Sequence, residues 1–322
     1  MRQISEFFNW ILLTVLYFKQ LLQRIKILIG LTTSEYGMSS PLEYEGVLVP
    51  SRTHDIRRIK AASLYDRFRH DDVVIANYPK SGNHFTADVI LSLYKETGLV
   101  PQNRHATQVI GAFEFIFPEL SLKVPKGDSN DLFHRFEQFS SPRLVVTHLP
   151  WSLLPPKIQR GEVKVINTYR NPKDVMCSML AFFKKMYIVF DTVQMKDYIY
   201  WFMEGKVIHG SYMRHLRELY PNRNQPYLLS LQYEDMTKNL KENVRRIAEF
   251  LNIKITPRQL DAVVAASTFE NKKQERGKNH PVYRKGKVGS WKSELTVEQN
   301  EMMDEWIQRE MEGLEDLPMC YE

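Results

Sequence analysis

Short runs of consecutive apolar residues alternate along this chain with longer stretches in which apolar residues return every three or four positions. Val73–Ala76 is such a run, short and β-branched, and suits a buried strand. Pro79 and Gly82 follow it and mark a sharp turn. Phe85, Ala87, Val89, Ile90, Leu91 and Leu93 then recur at helical spacing, so the unit reads as strand, tight loop, helix. Leu144–Thr147 predicts a second buried strand, residues 163–169 a third and residues 227–232 a fourth. The third runs into Arg170-Asn171-Pro172, where Asn171 suits a helix N-cap and Pro172 the first helical position. After the fourth come Tyr233-Glu234-Asp235 and then a helix with Leu240, Val244, Ile247, Ala248 and Leu251 on one face. Strands alternating with helices predict parallel βαβ units, and so an α/β fold: a central, mostly parallel sheet flanked by helices.

Outside these units the pattern changes. Residues 7–18, FFNWILLTVLYF, are nearly all apolar, but a helix needs roughly 18–20 such residues to span a bilayer. Ile4, Phe8, Ile11, Val15, Phe18, Leu22, Ile25 and Ile29 keep a helical spacing, with Lys19, Gln20, Gln23, Arg24 and Lys26 on the other side. Residues 1–29 therefore predict an amphipathic helix lying on a membrane or on a partner, ahead of one domain over residues 30–322. A signal anchor, or a helix covering the domain's own surface, stays open beside that reading. A signal peptide fits less well, because only Met1 and Arg2 form the positive region and no clean cleavage site follows. Gly30, Gly37, Pro41, Gly46 and Pro50 predict a loop-rich lead-in over residues 30–56. Residues 54–69 predict a surface helix with Ile56, Ile59, Leu64 and Phe68 inward. Residues 99–127 mix Phe113, Phe115, Ile116 and Phe117 with Pro101, Pro118 and Pro125. Such a stretch either lines a substrate pocket or packs as a long loop.

Of the 322 residues 43% are hydrophobic and 25% charged, enough for a sizeable globular core. The net charge of +6 fits an anionic ligand or surface. No dense Lys/Arg block with interleaved aromatics appears, which argues against nucleic acid. Cys177 and Cys320 give no disulfide framework, so a reducing, cytoplasmic setting is the default. No His, Cys, Asp and Glu residues show metal-ligand spacing, and no metal is implied.

In open α/β sheets ligands bind off the carboxyl ends of the strands. Lys80, His148, Arg170 and Tyr233 all stand at such ends, which gathers four distant residues into one crevice. At the first of them a glycine-containing turn opens a helix, whose first N–H groups and partial positive charge attract phosphate. Lys80 adds a full charge. An arginine such as Arg170 can grip a phosphate with two parallel donors. An imidazole such as His148 has a pKa suited to taking a proton from an attacking group.

These stretches resemble the cytosolic sulfotransferases, which move a sulfonyl group from 3′-phosphoadenosine 5′-phosphosulfate (PAPS) to small acceptors. YPKSGNHF is similar to the family's 5′-phosphosulfate loop, Y-P-K-[SA]-G-T-T/H-W, and THLP to its catalytic-histidine strand end. YRNPKDVMCSM is similar to its 3′-phosphate segment, RKGKVGSW to its C-terminal R-K-G-x-x-G-D-W nucleotide segment, and residues 292–301 to its dimerisation motif, K-x-x-x-T-V-x-x-x-E. The resemblance covers about residues 40–320, with five motifs in order. It implies that Lys80, Ser81, Gly82, Asn83, His84 and Phe85 hold the 5′-phosphosulfate. It puts Arg170 and Ser178 on the 3′-phosphate, which Arg284, Lys285 and Gly286 close from the other side. Tyr233 and Ser267, Thr268 and Phe269 would contact the adenine, with Phe269 either stacked on the base or in the core. It makes His148 the base, with Lys80 neutralising charge on the leaving side. It implies a homodimer through residues 292–301 and a small-molecule acceptor: a phenol, alcohol, steroid or amine.

Four positions depart from the pattern. Asn83 and Phe85 stand for Thr and Trp, Val146 for a lysine two residues before the histidine, and Ser290 for the Asp before Trp291. The span from Ser267 to Arg284 is also shorter than in well-known members. Val146 supports a rival, a PAPS-binding protein that has lost catalysis. A membrane-anchored carbohydrate or protein sulfotransferase draws support from residues 1–29, against the C-terminal segment and the two cysteines. A nucleotide kinase is opposed by the missing G-x-x-x-x-G-K-[ST] pattern.

Overall fold

The computed structural model describes residues 18, 21, 22, 34–39, 41–51, 54–102, 114, 133, 136–186, 188–276 and 287–320. The helix expected over residues 1–29 and the stretch 99–127 thus lie largely outside the described residues, and Arg284, Lys285 and Gly286 lie wholly outside them.

Residues 34–39 and 41–50 form two antiparallel hairpins rather than the loop-rich lead-in expected from their glycines and prolines. The first pairs β1 (Ser34–Glu35) with β2 (Met38–Ser39), and the second pairs β3 (Pro41–Tyr44) with β4 (Val47–Pro50). The glycines serve the hairpin turns: Glu45 and Gly46 both take positive φ, 50° and 74°. Turn residues so close together left only short strands between them, too short for an alternating pattern to show.

Among the described residues the main sheet has four strands in the order β6-β5-β7-β8, all parallel, as the alternating pattern requires. They are β5 (Val73–Ala76), β6 (Leu144–Thr147), β7 (Lys164–Tyr169) and β8 (Leu228–Gln232). The last two begin one residue later than the apolar runs suggest. Val163 and Tyr227 are packed but precede the ladder, because burial and backbone pairing end at different residues.

Successive side chains of a strand face opposite ways, and this sheet is buried on both sides. Val74, Ala76, Val145 and Val165 pack with Ile59 and Ala62 of the Ile56–Ser63 helix. Val73, Ile75, Leu144, Val146 and Ile166 pack with the Asn83–Glu96, Leu240–Phe250 and Pro257–Ala266 helices. Fully burying one such side chain contributes about 1.5–3 kcal/mol. At the amino ends of β5 and β6, Arg143 and Asp72 form an ion pair. Their side chains are 1% and 0% exposed, and Arg143 Nε donates to Asp72 Oδ1 at 2.7 Å. Removing either partner would strand a buried charge, at a cost of about 3–5 kcal/mol.

The helix expected over residues 54–69 is shorter. Asp55 caps it by accepting from the Arg57 backbone N–H, and it ends at Ser63. Leu64, expected inward, is 73% exposed. The chain leaves the helix there, so helical spacing no longer decides direction. Phe68 is buried from the following extended segment, in an aromatic cluster with Tyr65, Phe133 and Phe136. Asn171 and Pro172 behave as expected. Asn171 accepts from the Lys173 backbone N–H and Pro172 opens the Pro172–Lys185 helix.

Candidate active site

The parallel register brings three strand ends together. Ala76 pairs with Thr147, so Asn77 and His148 leave the sheet side by side. Asn77 ties them further. Its backbone N–H donates to the Thr147 carbonyl at 3.2 Å, and its own carbonyl lies 2.9 Å from His148 Nδ1. Its side-chain Oδ1 accepts from the Thr168 backbone N–H on β7 at 2.6 Å, while Asn167 Nδ2 donates back to the Ala76 carbonyl at 2.6 Å.

The loop after Asn77 makes the expected tight turn into a helix. Lys80 and Gly82 take positive φ, 65° and 123°. A Cβ on Gly82 would lie 3.0 Å from Tyr233 Cδ2 and 3.2 Å from Thr168 Cγ2, so only glycine fits. Gly82 is also the N-cap of the Asn83–Glu96 helix and brings no side-chain cap. The first-turn N–H groups and the positive end of a 14-residue helix are thus presented by bare backbone, a setting that fits an anion. Ser81 is buried, Asn83 and Phe85 are partly buried and His84 is exposed. Lys80 Nζ lies over the Phe182 ring, 4.0 Å from its centroid.

Arg170 leaves β7 beside this loop. Its Nη1 donates to the Lys80 carbonyl at 3.3 Å, and its guanidinium lies over the Tyr233 ring at 4.3 Å. Tyr233 meets Phe85 edge to face at 6.1 Å, so these four residues adjoin. Tyr233 opens a short helix, Tyr233–Lys238, instead of preceding one. Ser178, two turns into the Pro172–Lys185 helix, is buried. The Pro257–Ala266 helix packs along the Asn83–Glu96 helix, with Gln259 Nε2 on the Glu96 carbonyl at 2.7 Å. That contact pins its start to the far end of the other helix, so it runs back toward the cradle. Ser267 caps its end, its hydroxyl buried without a partner among the described residues; Thr268 and Phe269 follow, partly buried.

Asp174, beside Arg170, is a residue that the sequence pattern did not single out. It is fully buried and forms an ion pair with Arg170 at 3.4 Å. It also accepts from Gly289 N at 2.9 Å, Ser290 Oγ at 2.8 Å and Trp291 N at 3.1 Å. One carboxylate therefore joins the Arg170 segment to the C-terminal segment that holds Ser290. The serine at that position supplies a donor where an aspartate would only accept.

His148 is partly exposed. Its Nδ1–H donates to the Asn77 carbonyl, which leaves Nε2 as the basic nitrogen. The Asn83 amide lies 3.4 Å from the same Nδ1, and its Oδ1 is buried without a partner among the described residues. Turning that amide over would place the oxygen against Nδ1–H. Val146, one residue before Thr147, faces the apolar layer under the Asn83–Glu96 helix.

Among the described residues three further histidines surround His148, and nothing in the sequence marked them. His209 meets His148 edge to face at 5.0 Å and His54 at 5.4 Å. The β4 hairpin places both. His54 donates from its backbone to Pro50 O, and His209, at φ 68°, donates from its backbone to Leu48 O at 2.7 Å. His215 lies on the Tyr212–Leu219 helix. Burial lowers all four pKa values. It takes His148 to about 4, helped by the charge of Lys80 and opposed by the Asn77 carbonyl. It takes His54 to about 3 and His215 to about 4, and His209 well below the ordinary value, with repulsion from His148 adding to each. Glu114 moves the other way. Burial pushes it up to about 7, although it accepts from the His148 backbone N–H at 2.7 Å and from Thr147 Oγ1 at 2.9 Å. Among the described residues no group of three or more His, Cys, Asp and Glu side chains is arranged to hold a metal ion.

The chain belongs to the sulfotransferase family: the family's sulfotransferase domain matches residues 70–315. It is a sulfotransferase, and the expected α/β fold is that family's. Its relatives include the amine sulfotransferase of Oryctolagus cuniculus, 32% identical over 79% of this chain and 84% of that one. Sulfotransferase 1A1 of Mus musculus is 32% identical over 76% of this chain and 85% of that one. The fold is also that of a mouse sulfotransferase, SULT7A1, solved in complex with PAP (TM-score 0.70, 24% identity, 84% of this chain and 94% of that one). Retinol dehydratase, solved with androsterone and inactive cofactor PAP, is similar in fold as well (TM-score 0.69, 23% identity, 84% and 88%).

The neutral histidines predict how stability depends on pH. An imidazole at about 4 in the fold and about 6.5 unfolded binds more protons when unfolded, so stability falls as pH falls through that window. Each such group contributes up to about 1.4 kcal/mol per pH unit there. Glu114, raised from 4.5 to about 7, and Glu234, also raised by burial, work oppositely and lose stability as pH rises, but they are two groups against four. The unfolding midpoint should therefore drop steadily from pH 7 to pH 5 in thermal melts. A flat or rising profile would show that the imidazoles are not held neutral.

Proposed function

We propose that the protein transfers the sulfonyl group of PAPS to a hydroxyl or amine of a small acceptor such as a phenol, alcohol or steroid. The observation that carries this reading is the His148 imidazole: its proton is fixed on Nδ1 by the Asn77 carbonyl at 2.9 Å, one strand from the Lys80 loop. Sulfonyl transfer, like phosphoryl transfer, depends on positioning and on stabilising charge. PAPS supplies the activated sulfonyl group. Lys80 to Phe85 cradle its 5′-phosphosulfate with backbone N–H groups and one ammonium. Arg170 and Ser178 take the 3′-phosphate, with Arg284, Lys285 and Gly286 on its other side, and Tyr233, Ser267, Thr268 and Phe269 take the adenine. His148 Nε2 accepts the acceptor's proton as its oxygen or nitrogen bonds to sulfur, and Lys80 neutralises the charge that appears as the sulfur–oxygen bond to the 5′-phosphate breaks. An intact, neutral His148 favours this over a catalytically dead binder, even with Val146 in place of lysine. Cys177, buried within the Pro172–Lys185 helix, and Glu234, whose Oε1 accepts from the Asn171 backbone, are poorly placed as alternative bases.

Turnover with labelled PAPS across phenols, sterols, amines and fatty alcohols tests the reaction and finds the acceptor. On the best acceptor, His148→Ala should lose at least about 10²-fold, the scale of general-base catalysis, with PAP affinity little changed. Lys80→Ala and Arg170→Ala should each lose about 10²-fold or more through the donor. Near-normal turnover in all three would place the chemistry elsewhere.

Assembly as a homodimer through residues 292–301 is part of the same proposal. Thr296 caps the Val297–Glu310 helix, and Val297 beside it is 75% exposed, an apolar side chain suited to a small symmetric contact. Val297→Glu should convert a dimer to a folded monomer by light scattering, because a charge buried without a partner is costly. A wild-type monomer at micromolar concentration would refute the contact.

Residues 1–29 are read as a peripheral membrane helix on a cytoplasmic protein. Phe18, Leu21 and Leu22 support it, being helical and 57%, 40% and 56% exposed. Among the described residues no helix is long and apolar enough to cross a membrane. Vesicle flotation should follow these residues, and deleting them should leave turnover in solution intact. Insoluble protein after deletion would mean that the helix packs on its own domain.

A further inference from the structure

Glu114 stands between Phe113 and Phe115, the only charge in a run of aromatic and aliphatic residues, yet its side chain is fully buried. A buried carboxyl is costly unless its oxygens are engaged. Here both oxygens are. Oε1 accepts from the His148 backbone N–H at 2.7 Å, and Oε2 accepts from Thr147 Oγ1 at 2.9 Å. Thr147 Oγ1 in turn accepts from the Leu149 backbone N–H at 3.2 Å. One carboxyl, directly or through a hydroxyl, therefore fixes three consecutive residues at the end of β6. The buried guanidinium of Arg58 favours its ionised form.

We propose that Glu114 is a positioning residue for the base: its carboxyl holds the Thr147-His148-Leu149 turn from behind while the Asn77 carbonyl holds the imidazole, and together they give His148 Nε2 one aim. This rests on His148 being the base. The backbone alone would leave the imidazole free to swing about its two side-chain torsions. The Asn77 contact alone would leave the turn after Thr147 without an acceptor for two of its donors. With both, ring and backbone are constrained from different sides.

The clamp is a matter of hydrogen-bond geometry and survives protonation. A neutral carboxyl keeps one oxygen for the His148 N–H and can turn its own O–H toward Thr147 Oγ1, which has a second lone pair. Glutamine has the same shape, with an amide N–H in place of that O–H. Leucine has neither.

The test compares Glu114→Leu, Glu114→Gln and Thr147→Val in the full chain, using turnover, acceptor KM and PAP affinity by calorimetry. Glu114→Leu should lower kcat about 10- to 100-fold, the range expected when a catalytic group loses its aim. PAP affinity should change no more than a few-fold. Glu114→Gln should recover most of kcat, and Thr147→Val, which removes one of the two links, should fall between. In a His148→Ala background Glu114→Leu should cost nothing further, because there is no base left to aim. A folded Glu114→Leu with wild-type kcat would overturn the proposal, as would Glu114→Gln as impaired as Leu, or an equal loss with and without His148. If Glu114→Leu does not fold, the Gln and Val variants decide by the same criteria. Retained activity in His148→Ala alone would instead overturn the base assignment on which the proposal rests.

Discussion

The arrangement depends on one buried amide. Asn77 uses its backbone N–H on β6, its side-chain oxygen on β7 and its backbone carbonyl on the His148 imidazole. Parallel strands diverge at their ends through twist, and backbone pairing stops there. Asn77 extends the pairing one residue beyond the ladder on both sides, with a side chain where β7 offers only a donor. It thereby sets the height of the cradle loop, of His148 and of Arg170 relative to one another. A buried polar residue at the end of a sheet would be costly alone; here its bonds also locate His148 and the end of β7 that leads into Arg170.

Charge divides across this pivot. Lys80 and Arg170 stand on one side, with Asp174 holding Arg170 in place. On the other side four imidazoles are kept neutral, and the charge of Lys80 itself helps to keep the proton off His148. The hairpin at residues 41–50 matters to this half of the site, since it anchors the backbones of His54 and His209. An element that reads as a lead-in is thus part of the wall.

What could be read from the sequence follows from this division. β5 and β6 were legible because they are buried throughout and so appear as unbroken, mostly β-branched runs, while β8, half-buried and without a β-branched residue, was legible from its place before a helix. Lys80, His148, Arg170 and Tyr233 were legible because each stands directly at a strand end; the structure puts Lys80, Arg170 and Tyr233 in contact and His148 at the end of the neighbouring strand. Asn77 occupies the same kind of position and could have been found by the same rule, had an uncharged amide been weighed as a clamp. Asp174 was visible only as part of a motif, since its partners lie 115 to 117 residues away. His54, His209 and His215 carried no signal, because contacts between hairpin, loop and helix have no period. Leu64 went wrong because a helical spacing was carried past the residue where the helix ends.

The span of the Asp174 contacts bears on the order in which the molecule is made. Domains made on the ribosome acquire structure as the chain emerges. The strands β5, β6 and β7 and the Asp174 carboxylate emerge well before Gly289, Ser290 and Trp291, the groups that will satisfy it. Asn171 waits longer still, for the carbonyl of Cys320. During synthesis the sheet can close while the floor beneath Arg170 still faces water. The surroundings of Arg170 are thus among the last parts to be completed, and a nascent chain lacking its final few dozen residues carries His148 but not the backbone and hydroxyl donors that engage the Asp174 carboxylate beside Arg170.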